Sequence, residues 1–153
     1  KKVGGGFTVT EVTIYTDGAC KGNPGPGGWA AILECRGVEK VLSGGDPACT
    51  NNKMELTAVV TALEALTKPC IVKVYSDSKY IVDAVNKRWL FNWPKRGWRN
   101  SLNEPTPNRE LWERMLELLK KHKVTFEWVK GHSGNPKNER CDQIAVAEIQ
   151  KYL

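Results

Sequence analysis

The feature that most constrains this chain is a β-type segment that ends at an acidic residue and runs into a tract rich in glycine and proline. Residues 12–16 (Val-Thr-Ile-Tyr-Thr) have the β-branched and aromatic character of a strand, and Asp17 follows them directly. Residues 22–28 read Gly-Asn-Pro-Gly-Pro-Gly-Gly, which predicts turns. A carboxylate at a strand end, next to a tight loop, is typical of the ligand-binding edge of an α/β sheet. Alone, Asp17 and Gly18 would indicate only a hairpin turn.

Length and composition predict one globular domain with its own core. The chain has 153 residues, of which 41% are hydrophobic and 26% charged. We expect residues 1–9 to be a tail or a remnant outside the fold, and residues 10–153 to form the domain. No apolar run is long enough to cross a bilayer and no signal-peptide pattern is present, so we expect a cytoplasmic protein without a membrane partner.

The cysteines and the net charge indicate which kinds of site and partner this chain has. The five cysteines include no Cys-x-x-Cys pair, which predicts reduced thiols and argues against a zinc site or a disulfide framework. The net charge of +6 favours a polyanionic partner.

The periodicity predicts an α/β fold with a mixed five-stranded sheet flanked by helices. Three consecutive strands form an antiparallel meander, and a helix with a buried apolar stripe then leads to a fourth strand that runs parallel to its neighbour. The predicted strands cover residues 12–16, 28–35, 38–44, 71–76 and 124–129. The candidate helix N-caps are Thr50, Ser78, Asn108 and Asn135.

Four acids fall at positions that this fold would bring to one edge of the sheet. If the first and fourth strands are adjacent and parallel, Asp17 and Asp77 leave the sheet on the same side. Glu55 lies in the first turn of one helix and Asp142 on the flank of another, each beside an apolar stripe. Carboxylates this close repel one another unless they share protons or bind cations.

Oxygen donors alone suit Mg²⁺, with Mn²⁺ as a substitute. Two such ions, about 4 Å apart, would activate a water and stabilise the leaving oxygen of a phosphodiester. Each acid also has an ordinary explanation, as a turn former, a helix-dipole partner or a solvated side chain. Spacing alone supports the metal site and these alternatives about equally.

Six motifs, in order and with family-like spacing over about residues 10–150, closely resemble those of type 1 ribonuclease H of the bacterial kind. They are Thr16-Asp17-Gly18, the tract from Gly22 to Trp29, the segment from Thr50 to Leu56, Ser76-Asp77-Ser78, the segment from Trp128 to Gly134, and Asn138-Glu139-Arg140-Cys141-Asp142. The resemblance implies an endonuclease that cuts the RNA strand of an RNA–DNA hybrid with Mg²⁺, without sequence specificity, leaving 5′-phosphate and 3′-hydroxyl ends.

The resemblance also implies the roles of individual residues. Asp17, Glu55, Asp77 and Asp142 match the catalytic and metal-binding carboxylates of the family. His132 matches a loop histidine associated with proton transfer or product departure, although a plain surface role fits its glycine-flanked setting equally well. Glu139 matches an acidic residue thought to assist the metal ions or product release. His122 matches no functional position, and we expect it to be a structural cation that suits the end of a helix.

Substrate contacts can be proposed from the chemistry of the hybrid, whose wide, shallow minor groove exposes 2′-hydroxyls. Short polar side chains and exposed backbone groups suit these hydroxyls, and the candidates are Cys20, Gly22, Asn23, Asn51 and Asn52. The resemblance aligns Asn23, Asn51, Asn52 and Lys79 with hybrid-contacting residues, and Thr50 and Asn108 are candidates for a phosphate of the DNA strand. Simple helix capping by Asn51 and Asn52 remains an alternative.

Residues 87–103 carry five cations and no acid, and they resemble the basic protrusion, or handle, of many family members. Lys95, Arg96 and Arg99 are candidates for phosphate contacts that confer salt-dependent affinity without sequence choice. Trp93 is a candidate substrate contact, but packing of the handle tryptophans onto the body is favoured by roughly two to one. Pro94 replaces the basic residue usual there, and we expect it to end a short helix early.

Two other functions remain as alternatives. A non-catalytic hybrid-binding module would keep the surface but not need the intact carboxylate set. A DNA nuclease of related fold, as among resolvases and transposases, would not need the asparagine-rich surface or the basic handle. We expect a monomer that binds two metal ions together with the hybrid.

Overall fold

A computed structural model describes residues 2–3, 7–8, 10–131 and 134–153. Its main sheet has five strands, which are β3 (Glu11–Cys20), β4 (Gly25–Cys35), β5 (Val38–Cys49), β6 (Ile71–Ser76) and β7 (Lys123–Trp128). Their order across the sheet is β5-β4-β3-β6-β7. Strands β3, β4 and β5 pair antiparallel, whereas β3 pairs with β6 and β6 with β7 in parallel, so the predicted mixed sheet is confirmed.

Near the start of the chain, β1 (Lys2–Val3) and β2 (Phe7–Thr8) form a two-stranded antiparallel ladder. Within the described ranges these two strands pair with each other and not with the main sheet. The assignment of residues 1–9 to a tail outside the domain stays a prediction.

The strands of the meander extend further than predicted. Asp17 lies inside β3, opposite Ala30 of β4, so the prediction that it ends the strand is wrong, as is the hairpin-turn alternative. The glycine-rich residues from Gly25 to Gly28 belong to β4, which leaves only residues 21–24 for the turn. The tract pairs despite its turn-like composition, with a register irregularity between Gly25 and Gly27. The parallel ladder with β6, by contrast, ends at Tyr15, two residues before Asp17.

Within the described residues, five helices pack around the sheet. They are α1 (Asn51–Glu64), α2 (Lys79–Asn86), α3 (Trp89–Asn92), α4 (Arg109–Lys121) and α5 (Pro136–Gln150), with a 3₁₀ turn at Pro94–Arg96. Three predicted N-caps accept hydrogen bonds as expected: Thr50 from the Lys53 amide, Ser78 from the Ile81 amide, and Asn135 from the Lys137 and Asn138 amides.

Asn108 does not cap α4 through its side chain, so that prediction is wrong. The residue precedes α4 with φ of 59° and ψ of 33°, and its side chain makes no capping bond. An N-cap side chain reaches the first-turn amides from an extended backbone, which this left-handed conformation does not provide. Asparagine tolerates the left-handed region better than most residues.

Two cores hold the layers together. The larger core joins α1, α4 and the handle to one face of the sheet and contains Leu56, Trp112 and Phe126. The smaller core joins α5 to the other face through Ala30, Ile32, Cys141 and Ala145. Glu55 and Asp142 sit beside these two buried stripes, so the packing of α1 and α5 fixes where both carboxylates point.

The handle is held to the body by its tryptophans, as the sequence favoured. Trp93 and Trp98 are buried in the larger core, and the Trp93 ring meets Trp112 edge-on at 5.2 Å. Helix α3 ends at Asn92 and Pro94 begins the separate 3₁₀ turn, in accord with the expected early stop. The handle is therefore an integral part of the folded body.

His122 is structural, but it is not the expected cation. Its side chain is buried, and Nδ1 accepts a hydrogen bond from the Cys70 amide. Burial, followed by the charge of Lys121, lowers the pKa of this imidazole. A ring nitrogen that accepts a hydrogen bond carries no proton, so His122 is neutral. Its bond ties the end of α4 to Cys70, the residue before β6.

None of the helices in the described parts of the chain has the length and apolar character that a membrane span requires.

Candidate active site

Three acids from three different elements converge at one edge of the sheet. Asp17 comes from β3, and Asp77 directly follows β6. Glu55 lies in the second turn of α1, so its predicted place in the first turn is wrong, because the helix begins at Asn51. One carboxylate oxygen from each lies within 4.8 Å of the other two. Asp17 and Glu55 are 7% and 5% exposed, so the cluster is cut off from most of the water that would otherwise screen its charges.

Gly18 is the residue that lets α1 approach β3 closely enough to build this cluster. A Cβ atom at position 18 would lie 2.5 Å from the carbonyl carbon of Met54 and 2.8 Å from the Cα of Glu55, and would also overlap the Glu55 amide nitrogen. Only a glycine leaves room for this contact. The Gly18 amide also donates to Asp17 Oδ1 at 2.8 Å, which orients that carboxylate.

The fourth acid, Asp142, lies outside the group of three oxygens but close to Asp17. It lines a narrow cleft with Asp17, Asp77 and the exposed Glu139. Cys141, the residue before Asp142, anchors α5 to β3, because its buried thiol donates to the Tyr15 carbonyl at 3.3 Å. Asp142 is close enough to raise the pKa of Asp17 through its charge and a hydrogen bond.

The cluster has the chemistry of a hard-cation site. Glu55 Oε1 and Asp77 Oδ1 are buried and have no hydrogen-bond partner among the described residues. Buried acceptors are rarely left without partners in native proteins, and a carboxylate oxygen is the donor that Mg²⁺ and Mn²⁺ prefer. The residues present therefore fit a divalent ion bound through oxygen.

Burial and repulsion by neighbouring carboxylates keep Asp17 and Glu55 partly protonated in the metal-free protein. Burial first, and then the charge of Asp77, raise the pKa of Asp17 to about 8. The same two causes, with a further contribution from Asp17, raise the pKa of Glu55 well above its ordinary range. A divalent cation would relieve this repulsion and favour the ionised forms.

The raised pKa values predict that the metal-free protein loses stability as the pH rises. The folded protein holds protons that the unfolded chain releases above about pH 4, so the free energy of unfolding falls as the pH rises towards 8. Asp17→Asn removes one of these charges and should raise the unfolding temperature in EDTA at pH 8 by at least about 5 °C. Thermal unfolding from pH 5 to 8.5 in EDTA tests this. An identical pH slope in wild type and variant would contradict it.

The predicted hybrid contacts nearest to the acids lie in and beside the β3–β4 turn and at the starts of α1 and α2. Cys20, Gly22 and Asn23 are at or beside the turn between β3 and β4, and the Asn23 side chain accepts from the Asn51 amide at 3.3 Å. Thr50, Asn51, Asn52 and Lys79 are exposed at the starts of α1 and α2. Asn51 and Asn52 follow the cap and do not form it, which removes the capping alternative.

The remaining candidates are four residues of the handle, together with Asn108 and His132. Lys95, Arg96 and Arg99 are exposed, whereas Trp93 is 8% exposed. Arg96, Trp93 and Asn52 line a hollow of about 530 Å³ between the handle and the body. Asn108 is half-buried and lines a second hollow with Lys53 and Arg109. His132 lies outside the described residues, so its predicted role is not addressed by this structure.

The sequence matches a known protein family over most of its length. The family model described as RNase H matches residues 9–150. The chain belongs to the RNase H family. Curated relatives named Ribonuclease H share 55% identity in Nitratidesulfovibrio vulgaris strain DP4, over 92% of this chain and 90% of that protein, and 50% in Pseudomonas fluorescens strain Pf0-1, over 95% and 96%.

Solved structures of RNase H proteins share the fold. LC9-RNase H1, described as a type 1 RNase H with the type 2 active-site motif, superposes with a TM-score of 0.84 at 31% identity, covering 96% of this chain and 75% of that one. LC11-RNase H1, solved in complex with an RNA/DNA hybrid, superposes with a TM-score of 0.71 at 25% identity, covering 92% and 97%.

Proposed function

We propose that this RNase H chain is an endonuclease that hydrolyses the RNA strand of RNA–DNA hybrids without sequence specificity, and that Mg²⁺ is its natural ion. The observation that carries this function is the gathering of Asp17, Glu55 and Asp77 with two buried carboxylate oxygens left unpartnered among the described residues. Relatives named Ribonuclease H and a related enzyme solved with a hybrid support the substrate class. All the acids come from one chain, which supports a monomer, and five free thiols support a reducing, cytoplasmic location.

We assign the four acids to the metal ions. Asp17 and Asp77 would hold ions from the neighbouring strands β3 and β6, with Glu55 on the α1 side and Asp142 on the α5 side. When bound, two such ions activate a water and stabilise the leaving oxygen, which produces 5′-phosphate and 3′-hydroxyl ends. The protein itself provides carboxylates held by the packed elements β3, α1 and α5, and it needs no covalent nucleophile.

We further propose supporting roles for two residues at the mouth of the cleft. Glu139 is exposed and lines the cleft, where its carboxylate would assist ion exchange or product release. His132 would move a proton or help the product to leave, as the resemblance implies.

We propose that the substrate is recognised along the edge that leads from the acids to the handle. Cys20, Gly22, Asn23, Asn51 and Asn52 would contact the minor groove, whose 2′-hydroxyls distinguish the hybrid from DNA. Thr50 and Asn108 would hold a phosphate of the DNA strand, and Lys79 would neutralise a nearby phosphate. Trp93, which is buried against Trp112, would shape the hollow beneath the handle and leave phosphate binding to the neighbouring cations.

The decisive experiment compares substrates of one sequence. A labelled RNA–DNA hybrid, duplex DNA, duplex RNA and single-stranded RNA are incubated with the protein in Mg²⁺ and in EDTA. We expect cleavage of the RNA strand of the hybrid alone, and only with Mg²⁺. Tight hybrid binding without cleavage would instead support the binding-module alternative, and cleavage of duplex DNA would support a DNA nuclease.

The handle predicts a specific salt dependence. Replacing Lys95, Arg96 and Arg99 with alanine should raise KM and reduce the slope of log KM against log salt by about 0.7–0.9 for each lost phosphate contact. The rate at saturating hybrid should change much less, because the acid cluster is untouched. Steady-state kinetics between 25 and 200 mM salt measure this.

The control replaces three other exposed cations, Lys68, Lys120 and Lys123, with alanine. They lie near the starts of β6 and β7, whereas Asp77 follows the other end of β6. This control should keep the wild-type slope. Equal slopes for the wild type and the handle variant would show that the handle does not contact phosphate.

A further inference from the structure

The side chain of Asn138 has buried polar atoms whose burial lowers the stability of the free protein. It is the third residue of α5 and lines the cleft with Asp17, Asp77 and Asp142. Its amide Oδ1 and Nδ2 are both buried, and neither has a hydrogen-bond partner among the described residues. Each buried polar group without a partner costs about 1–3 kcal/mol. Native proteins keep few such groups, and they tend to mark functional sites or places where another molecule binds.

Helix capping does not explain this side chain. At the third position of a helix, a side chain can reach back to the amide of the N-cap residue and complete a capping box. Here Asn135 caps α5 alone, by accepting from the amides of Lys137 and Asn138 at 3.1 and 3.2 Å. The Asn138 side chain takes no part in the cap. Its amide also makes no hydrogen bond to the carboxylates that share the cleft.

We propose that Asn138 is a further catalytic residue, whose amide contacts the phosphodiester bound in the cleft. Nδ2 would donate to a phosphate oxygen and Oδ1 would accept from a water that accompanies the substrate. Ionised carboxylates only accept hydrogen bonds, whereas a neutral amide can donate to phosphate without adding negative charge. This inference rests on the proposed function, because it assumes that the cleft receives a phosphodiester.

The proposal predicts opposite effects on stability and activity. Asn138→Leu keeps nearly the same side-chain volume and removes both unpartnered polar atoms. The unfolding temperature of the metal-free variant should stay at or above the wild-type value, because removing unsatisfied buried groups is neutral or stabilising. The value of kcat/KM on a hybrid should fall by about 10- to 100-fold, since a donor to the reacting phosphate is lost.

The control is Asn86→Leu. The Asn86 amide donates to the Phe126 carbonyl at 3.2 Å, at the end of α2. This variant should lose stability, because it breaks a formed hydrogen bond, and should keep kcat/KM within about twofold of the wild-type value. Asn138→Ala serves as a second variant if leucine is too bulky, and it should show the same loss of kcat/KM.

Thermal unfolding in EDTA and steady-state cleavage of the hybrid are measured for all four proteins. Lower activity with unchanged or higher stability supports the proposal. Unchanged activity, or a parallel loss of stability and activity in both Asn138 variants, overturns it and makes Asn138 a structural residue. Failure of the wild type to cleave the hybrid would instead refute the proposed function itself.

Discussion

Asp17→Asn is expected to abolish Mg²⁺-dependent cleavage of the hybrid while leaving the fold intact. Asp17 interacts with both Asp77 and Asp142, and it shares the oxygen cluster with Glu55 and Asp77, so its loss would remove a ligand that the whole site depends on. Loss of an electrostatic contribution of several kcal/mol at the reacting phosphate lowers kcat by about 1,000-fold or more. Initial rates on a labelled hybrid at saturating Mg²⁺ measure the effect, and circular dichroism checks the fold.

The matched control is Glu117→Gln, which also removes one negative charge. Glu117 is 74% exposed and pairs with Lys120 on the outer surface of α4, away from the cluster. It should keep wild-type kcat. Substantial Mg²⁺-dependent turnover by Asp17→Asn, with the control unaffected, would show that the catalytic centre does not depend on Asp17.

Gly18→Ala is expected to damage both stability and catalysis, although it adds only one methyl group. The new Cβ would overlap the backbone of Met54 and Glu55, which cannot move without lifting α1 from β3. Such overpacking costs about 3 kcal/mol or more when backbone must shift, and the shift moves Glu55 away from Asp17. We expect a fall of about 10-fold or more in kcat even at a temperature where the variant is folded.

Gly37→Ala separates steric overlap from the conformational cost of replacing glycine. Gly37 has φ of +80°, and none of the described atoms lies within 4 Å of the place that an alanine methyl group would take. Alanine there costs only the left-handed backbone strain of about 1 kcal/mol, so it should leave kcat unchanged. Urea unfolding and kinetics below the unfolding transition measure both variants, and equal losses at positions 18 and 37 would refute the role given to the α1–β3 contact.

The gathering of Asp17 and Asp77 could be predicted because β3 and β6 are parallel neighbours, and their ladder ends at Tyr15 and Tyr75, two residues before each acid. The burial of Glu55 could also be predicted, because this residue lies beside a regular apolar stripe on α1. These features depend on periodicity, which is local and repeats over many residues.

Other features depend on contacts that no local pattern encodes. The glycine-rich residues from Gly25 to Gly28 have the composition of a turn, yet β3 and β5 on either side hold them in a strand. The charge of His122 depends on the Cys70 amide, which is 52 residues away. Asn108 takes a left-handed backbone that its residue type permits but does not require.

Asn138 illustrates a functional signal that sequence periodicity could not give. It lies within the motif that resembles the family, next to Glu139, but nothing in the pattern separates it from an ordinary first-turn residue. Only the fold shows that its amide is buried in the acidic cleft without a partner among the described residues. The nearest sequence clue was the absence of a glutamate or glutamine at the position where a capping box would place one.

The most direct test is a crystal of the wild-type protein soaked in Mn²⁺ and measured at the manganese absorption edge. The central claim is that Asp17, Glu55, Asp77 and Asp142 hold divalent ions through their oxygens. We predict anomalous peaks among these four carboxylates, with Mn²⁺–oxygen distances of about 2.0–2.3 Å. A well-ordered cluster without anomalous density, in crystals grown at a pH above the raised pKa of Asp17, would contradict it.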